Sequence, residues 1–176
     1  MGQDEARQQV AAPMSGENQL PRQFWSTWQD LSAVYERYAR LQGLSFTSLS
    51  ILDEVYRAHL SGTDCTQKSI CSVTFLPKQT ANSVIAGFVR DGLVELVELP
   101  HDRRAKAIRL TERGAAYAQR IIEPIDNAEV AAFAQFTVAE REQFLATLER
   151  YAASCAAQLN SLERATVAQS DPACQR

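Results

Sequence analysis

The sequence lacks any apolar run that approaches the ~20 residues needed to cross a lipid bilayer. It also lacks a hydrophobic stretch before Pro13, so its beginning does not have the layout of a secretory signal. These absences predict a cytoplasmic protein that neither spans nor binds a membrane. Apolar residues make up 45% and charged residues 22% of the 176 residues, which is typical of a soluble domain with one core.

Groups suited to catalysis are scarce. His59 and His101 are the two histidines, the side chains that most often act as bases near neutral pH. No serine or cysteine lies in a recognisable nucleophile motif, and the glycines form no phosphate-binding loop. The sequence therefore predicts a protein that is not an enzyme and that uses no cofactor.

The four cysteines, Cys65, Cys71, Cys155 and Cys174, are too few and too irregular for a disulfide framework. Five residues separate Cys65 from Cys71, whereas paired zinc-binding cysteines usually have two to four residues between them. We therefore expect no metal site. A redox-sensing thiol remains an alternative, since it depends on a lowered pKa that a sequence does not reveal.

Apolar residues recur every three or four positions in four segments, which predicts amphipathic helices. The first helix begins near Leu20. The second is capped by Ser45 or Thr47 and ends at Ser61-Gly62. Two more follow residues 111 and 137, where threonines can cap them; the earlier of these contains a proline at 124, and the later one fits a capping box.

Residues 66–92 predict two shorter helices joined by a turn. Thr66 can cap the first, Thr74-Phe75 forms the turn, and Pro77 suits the start of the second because its missing N–H is harmless there. Gly92 suits a left-handed end. The residues expected to face the core are Ile70, Val73, Val84, Ile85, Phe88 and Val89.

A β-hairpin is predicted next. Val94–Leu99 and Ala105–Leu110 are rich in β-prone residues, flank a charged turn, and place Ile108 and Leu110 on one face. A helix-turn-helix followed by a basic hairpin can bind one DNA groove and clamp its neighbour. The predicted fold is mainly α with a small β-hairpin wing, a winged helix-turn-helix domain plus a helical dimerisation region.

Charge is distributed unevenly along the chain. The net charge is −3, but residues 66–113 contain eight basic and five acidic residues, a local charge of +3. Because physiological salt screens charges beyond about 8 to 10 Å, a locally basic module in an acidic chain can still bind phosphates.

Short polar side chains at the start of a recognition helix can bond base edges or phosphates. In the hairpin, Asp102 precedes Arg104 by two residues and can hold its guanidinium in one pose for a minor groove. A solvated helix face and an exposed turn salt bridge are the alternative interpretations. The candidate DNA-binding residues are Lys68, Lys78, Gln79, Thr80, Asn82, Ser83, Asp102, Arg103, Arg104 and Lys106.

The long helices have more apolar face than a small winged domain can cover, which predicts a homodimer. A two-fold pair would also present two recognition helices to a palindromic operator. The expected organisation is a disordered tail (1–17), a dimerisation helix (18–43), the DNA-binding domain (44–113), further dimerisation helices (114–162) and a flexible tail (163–176).

These motifs resemble the multiple antibiotic resistance regulator (MarR) family of winged-helix transcription factors, over about residues 20–162. The matching segments are residues 65–70, 76–83, the Arg90-Asp91-Gly92-Leu93-Val94 exit, and Asp102-x-Arg104 followed by Leu110-Thr111. The resemblance implies that Arg104 enters a minor groove with Asp102 orienting it. It also implies a homodimer joined through its first and last helices, usually a repressor relieved by a small ligand.

Family members often bind lipophilic or phenolic anions between the dimer helices and the winged domain. The residues of the first helix that could line such a cleft are Trp25, Trp28, Tyr35, Tyr38 and Arg40, although an aromatic stripe at helical spacing is more often core. Peroxide-sensing members use a cysteine near the start of this helix, where the present chain has none.

The predicted function is therefore that of a homodimeric, sequence-specific transcriptional regulator of double-stranded DNA, acting as a ligand-relieved repressor. Two alternatives remain: a winged-helix module that binds proteins, and a thiol-based redox-sensing regulator. Salt separates DNA binding from protein binding, because affinity for a duplex falls steeply as ionic strength rises.

Overall fold

Helices make up most of the protein, whose computed structural model describes residues 16–99 and 102–170. The side chains of residues 16–18, 102–104 and 168–170 are outside this description. The elements are α1 (Gly16–Leu41), α2 (Phe46–Ser61), α3 (Gln67–Thr74), α4 (Lys78–Arg90), β1 (Val94–Leu99), β2 (Asp102–Leu110), α5 (Glu112–Phe133) and α6 (Val138–Ser170). A mainly helical chain with one hairpin is thereby confirmed.

The chain divides into two compact units, and the boundary falls within α5, between Ile122 and Glu123. None of the helices in the described ranges combines the length and the apolar content that a membrane span requires. The tail predicted for residues 1–17 lies almost entirely outside the described residues.

The core of the first unit is built from one side of each of its elements. Ser45, one of two predicted caps, accepts a hydrogen bond from the Ser48 backbone N–H at 3.0 Å and starts α2. Gly62 ends that helix in the left-handed conformation, as predicted. The largest fully buried side chains are Ile51, Leu52, Val55, Ile70, Ile121 and Ile122.

Helix α1 joins this core through its C-terminal part. Ala39 is fully buried, and the Tyr38 hydroxyl donates a hydrogen bond to the carbonyl of Ile121 in α5 at 2.9 Å. Nearby, the guanidinium of Arg120 donates to the side-chain oxygen of Gln42 at 3.3 Å. These bonds fasten the last turns of α1 to α5 within the first unit.

Helices α3 and α4 form the predicted pair. Thr66 caps α3 in a reciprocal capping box with Ser69, and Phe75 ends it with φ +55°. Pro77 precedes α4 as its N-cap, and Gly92 follows the end of the helix with φ +65°. The helix-turn-helix predicted from these residues is therefore present.

Two side chains expected in this core are exposed instead. Val73 is 56% exposed, because the eight-residue α3 has a single buried position, Ile70. Val89 is 39% exposed, since it follows the buried Phe88 by one residue and is rotated about 100° from it around the helix axis. The expectation that both valines face the core is wrong.

The hairpin pairs β1 and β2 antiparallel, with Val94 opposite Leu110. Strand β2 begins at Asp102, three residues before the predicted start, because Leu99 pairs with Asp102 beyond a register shift. Ile108 and Leu110 are buried, as expected. The segment before α3 also pairs with β2, since the Ile108 N–H donates to the Cys65 carbonyl at 2.7 Å.

The base of the hairpin contacts α5 backbone to backbone. The Thr111 N–H donates to the Leu93 carbonyl at 3.0 Å, and the Thr111 hydroxyl donates to the Gly92 carbonyl at 2.8 Å and caps α5 through the Gly114 N–H. A Cβ on Gly114 would lie 1.7 Å from the Leu93 carbonyl oxygen. Only glycine permits this close approach.

The second unit consists of the end of α5, a short turn and α6. Thr137 and Glu140 form the predicted capping box, in which Glu140 accepts from the Thr137 N–H at 2.8 Å. The rings of Phe133 and Phe144 lie 6.3 Å apart. Helix α6 continues to Ser170, past the expected limit at residue 162, because the segment after it is rich in helix-favouring Ala, Arg and Gln.

Candidate nucleic-acid interface

A groove of about 580 Å³ lies between α3, α4 and the hairpin. Lys68 from α3, Lys78 from α4 and Lys106 from β2 line it, together with Gln67 and Asn82. They are the three lysines of the chain. We call this site the lysine groove, and it brings together four of the predicted DNA-binding residues from three separate elements.

The lysines of the groove are available to bind an anion. All three are exposed, and among the described side chains none forms an ion pair with them. By contrast, Arg109 on the same strand as Lys106 pairs with Asp64 at 2.9 Å. The free positive charge near the hairpin therefore lies on the groove side.

The first turns of α4 present the other predicted residues to solvent. Gln79, Thr80 and Ser83 are exposed, while Ala81 between them is fully buried. Pro77 makes no side-chain cap bond, so the backbone N–H groups of the first turn have no side-chain acceptor there. Neither α3 nor α4 contains an acidic residue, so both helix dipoles favour an approaching phosphate.

Gln67 holds the two helices at this angle. Its side-chain amide donates to the Lys78 carbonyl at 2.8 Å across the turn. The residue was not among the candidates, because its neighbours in sequence suggest only the first turn of a helix. A bond across eleven residues carries no signal in a sequence pattern.

The tip of the wing is described only in part. His101 is outside the described residues, and the side chains of Asp102, Arg103 and Arg104 are outside them as well. The described backbone places these three residues at the start of β2. The roles predicted for them stay predictions.

The thiols do not share one environment. Cys65 is buried, and that burial raises the pKa of its thiol, with Glu54 adding to the rise and a Ser69 hydrogen bond opposing it. Cys71 lines the lysine groove half-buried, and Cys155 on α6 is half-buried. A raised pKa leaves little reactive thiolate, which disfavours Cys65 as a redox sensor.

Cys174 lies outside the described residues. Within the described ranges, no three His, Cys, Asp or Glu side chains are grouped in a way that would hold a metal ion.

The aromatic stripe of α1 is dispersed along the helix. Trp25 and Trp28 are more than half exposed, Tyr35 packs 6.4 Å from the ring of Phe46, and Arg40 pairs with Glu36 of its own helix. Fifteen residues of helix, about 22 Å, separate the first of these candidates from the last.

A second cavity, of about 330 Å³, lies between α2 and the turn after α3. Neither this cavity nor the lysine groove is lined by any of the five α1 candidates. The ligand cleft predicted for them stays a prediction.

Comparison with known proteins gives this geometry a family. A model of the MarR family matches residues 42–105, from the end of α1 into the hairpin. No curated protein matches the sequence. Among solved structures, a MarR family regulator from Neisseria meningitidis shares 26% identity and a TM-score of 0.67, over 84% of this chain and 99% of that one.

Two further structures share the fold at lower identity. The complex of MepR from S. aureus with DNA has 20% identity and a TM-score of 0.61, covering 74% of this chain and 97% of that one. PcaV from Streptomyces coelicolor, bound to its natural ligand, has 19% identity and a TM-score of 0.55, covering 73% and 91%.

Regulators of this family are DNA-binding proteins without enzymatic activity, in agreement with the scarcity of catalytic groups in the sequence. The family match, the winged helix-turn-helix and the likeness to the Neisseria regulator identify the chain as a MarR family DNA-binding transcriptional regulator.

Proposed function

We propose that the protein is a homodimer that binds a palindromic operator and represses transcription until a small lipophilic or phenolic ligand releases it. The observation that carries the DNA part of this proposal is the lysine groove, where every lysine of the chain lines one surface. Because phosphate contacts dominate the affinity of proteins for DNA, this surface is the expected footprint of a duplex.

The proposed contacts follow from the placement of the side chains. Helix α4 enters the major groove with Gln79, Thr80, Asn82 and Ser83 toward base edges. The three lysines neutralise phosphates on either side of it. At the wing, Arg104 enters the minor groove, with Asp102 as its orienting partner and Arg103 on a phosphate.

The dimer is supported by apolar surface that the single chain leaves exposed. Trp25, Trp28 and Leu31 on α1 are 49–58% exposed, and the apolar stripe of α6 is exposed as well. A second copy is the occupant that supplies a matching apolar face by symmetry, and it places two α4 helices about one DNA turn apart. Residues 18–43 and 114–162 are the proposed dimerisation region, outside the DNA-binding segment 44–113.

The ligand part of the proposal places the aromatic side chains of α1 in a cleft completed by the partner copy. Trp25, Trp28 and Tyr35 supply apolar contacts, and Arg40 supplies a positive charge for an anionic ligand. The Tyr38 hydroxyl, which already bonds α5, would transmit ligand binding to the first unit.

The lysine groove can be tested directly with a duplex selected from a randomised pool. Each of the variants Lys68→Ala, Lys78→Ala and Lys106→Ala is expected to weaken binding and to lower the salt slope of the affinity by about 0.9. Fluorescence anisotropy at several salt concentrations measures both. Arg57→Ala is the matched control, because it removes the same charge from α2, where Arg57 pairs with Asp53 and does not line the groove.

Chemical footprinting gives an independent readout, since the chain has only three lysines. An amine-acylating reagent should modify all three in the free protein, and the selected duplex should protect all three together. Unprotected lysines in a saturated complex would contradict the proposed interface. Absence of any selected duplex would contradict DNA binding itself.

A further inference from the structure

Phe75, in the turn between α3 and α4, has a backbone conformation that its side chain disfavours. Its φ of +55° and ψ of +19° are left-handed, and it is the one non-glycine residue with positive φ among the described residues. A side chain with a Cβ is strained in this region, which glycine and asparagine occupy more readily. Something other than local conformational preference therefore accounts for a phenylalanine here.

Packing within the chain does not account for it either. Phe75 is 90% exposed, the largest exposure among the large hydrophobic side chains of the described residues. It forms no described ring contact, and it lines neither of the two cavities. The ring contributes almost no burial to the free protein, although apolar burial is the usual return for an aromatic side chain.

The position of the turn indicates where the ring would be used. Phe75 precedes Lys78, the first residue of α4, by three positions, so their Cα atoms are at most about 10 Å apart. It also follows Gln67 and Cys71 at intervals of four residues, and both of these line the lysine groove. The residue thus stands at the entry of the helix that we place in the major groove.

We propose that Phe75 is a specificity-determining residue that contacts the C5-methyl group of a thymine in the major groove. Apolar side chains, phenylalanine among them, recognise thymine through this methyl group. The absence of acidic residues from α3 and α4 favours a duplex over a basic protein segment as the occupant of this surface. The inference rests on the proposed DNA binding, and it adds one base that the operator must contain.

The test uses the duplex selected from a randomised pool by the full-length protein, with uracil replacing thymine at one position of each half-site at a time. Uracil lacks only the C5-methyl group. Wild type is expected to lose about fivefold to tenfold in affinity at one position per half-site and little elsewhere. Anisotropy titration at fixed salt measures each dissociation constant.

Three variants separate the ring from the strain. Phe75→Gly and Phe75→Asn accept the left-handed backbone but remove the ring, so both should bind the thymine duplex as weakly as wild type binds the uracil duplex. Both should show no further loss on uracil substitution. Phe75→Tyr keeps the ring and should stay within about twofold of wild type while retaining sensitivity to uracil.

Thermal unfolding excludes a folding defect. Phe75→Gly and Phe75→Asn should melt at or above the temperature of wild type, because they relieve the strained backbone and lose little buried surface. Loss of DNA affinity in a variant at least as stable as wild type is not explained by a structural role of Phe75.

The outcomes distinguish this inference from the proposed function. If wild type binds no selected duplex, the proposed DNA binding fails and the inference fails with it. If wild type binds but Phe75→Gly binds equally well, or if every uracil duplex affects wild type and Phe75→Gly alike, DNA binding stands and the contact to thymine is overturned.

Discussion

The two units of the chain use their apolar residues in opposite ways. In the first unit, apolar side chains from every helix and from the hairpin meet in one core, and the largest of them are less than 2% exposed. In the second unit, no described side chain is buried. The apolar stripe of α6 is 38–63% exposed along Phe144, Leu148, Tyr151, Leu159 and Leu162.

This contrast shows what an amphipathic pattern means in each region. Helices α2 and α6 both carry apolar residues at intervals of three and four, which indicates a face that must be covered. Helix α2 is covered by its own chain. Helix α6 leaves its stripe exposed, which makes it the natural contact for the proposed second copy.

The largest expected effect comes from truncating the core of the first unit. Leu52→Ala should lower the free energy of unfolding by about 3 kcal/mol, because Leu52 is fully buried and the cavity cannot close completely. Denaturant titration monitored by circular dichroism measures the change. The dimer dissociation constant should stay at its wild-type value, and a large change in it would contradict a core that serves the first unit alone.

A second effect on the first unit comes from adding one carbon rather than removing several. Gly114→Ala should destabilise the protein by about 2 kcal/mol or more, because the new Cβ meets the Leu93 backbone oxygen at 1.7 Å and the hairpin base must move. Thermal unfolding measures this loss.

Gly87→Ala is the matched control for that substitution. Its Cβ meets only the flexible end of Arg90 at 3.7 Å, and alanine suits a helix interior better than glycine does. The control should be as stable as wild type or more stable. Equal stability of both alanine variants would contradict the close contact between hairpin and helix.

A smaller effect is expected from truncating the exposed stripe of the second unit. Leu159→Ala should leave the secondary structure intact, since Leu159 is 59% exposed in the single chain. It should weaken the proposed dimer about tenfold, as expected for about 1.4 kcal/mol of lost apolar contact. Sedimentation equilibrium measures the association. Unchanged association would remove α6 from the proposed interface.

The smallest effect concerns the start of α6 and depends on pH. The Thr137 backbone and hydroxyl hold the pKa of the fully exposed Glu140 below its usual value. A lowered pKa stabilises the folded state above the pKa of the unfolded chain, and that stabilisation is lost as the pH falls through the folded pKa.

Glu140→Gln tests this point, because glutamine keeps the capping box without a titrating group. The difference in melting temperature between wild type and the variant should shrink as the pH falls through the carboxylate range. A difference that does not vary with pH would contradict a contribution from the ionised carboxylate.

Much of the fold could be predicted because its signals are local. The caps at Ser45, Thr66 and Thr137, the left-handed end at Gly92 and the two strands depend on residues within four positions of one another or on alternation along a strand. The predictions failed where burial depended on the neighbouring element. Val73 and Val89 are apolar residues on apolar helices, yet the space beside them is not filled by the chain.

The candidate site divides along the same line. Individual lysines, Gln79, Thr80, Asn82 and Ser83 could be selected from residue type and their place at the start of a helix or in a hairpin. The gathering of Lys68, Lys78 and Lys106 on one groove required the packing of three elements. The same is true of the bond from Gln67 to Lys78.

Local preferences along the chain set the helices, the hairpin and the concentration of positive charge in residues 66–113, because each depends on side chains that are close in sequence. Packing in three dimensions settled which apolar faces are covered, which arginine is neutralised by Asp64, and how the lysines share one surface. The physical reason is that burial and Coulomb interactions depend on distances through space, and residues far apart in sequence meet only when the chain folds.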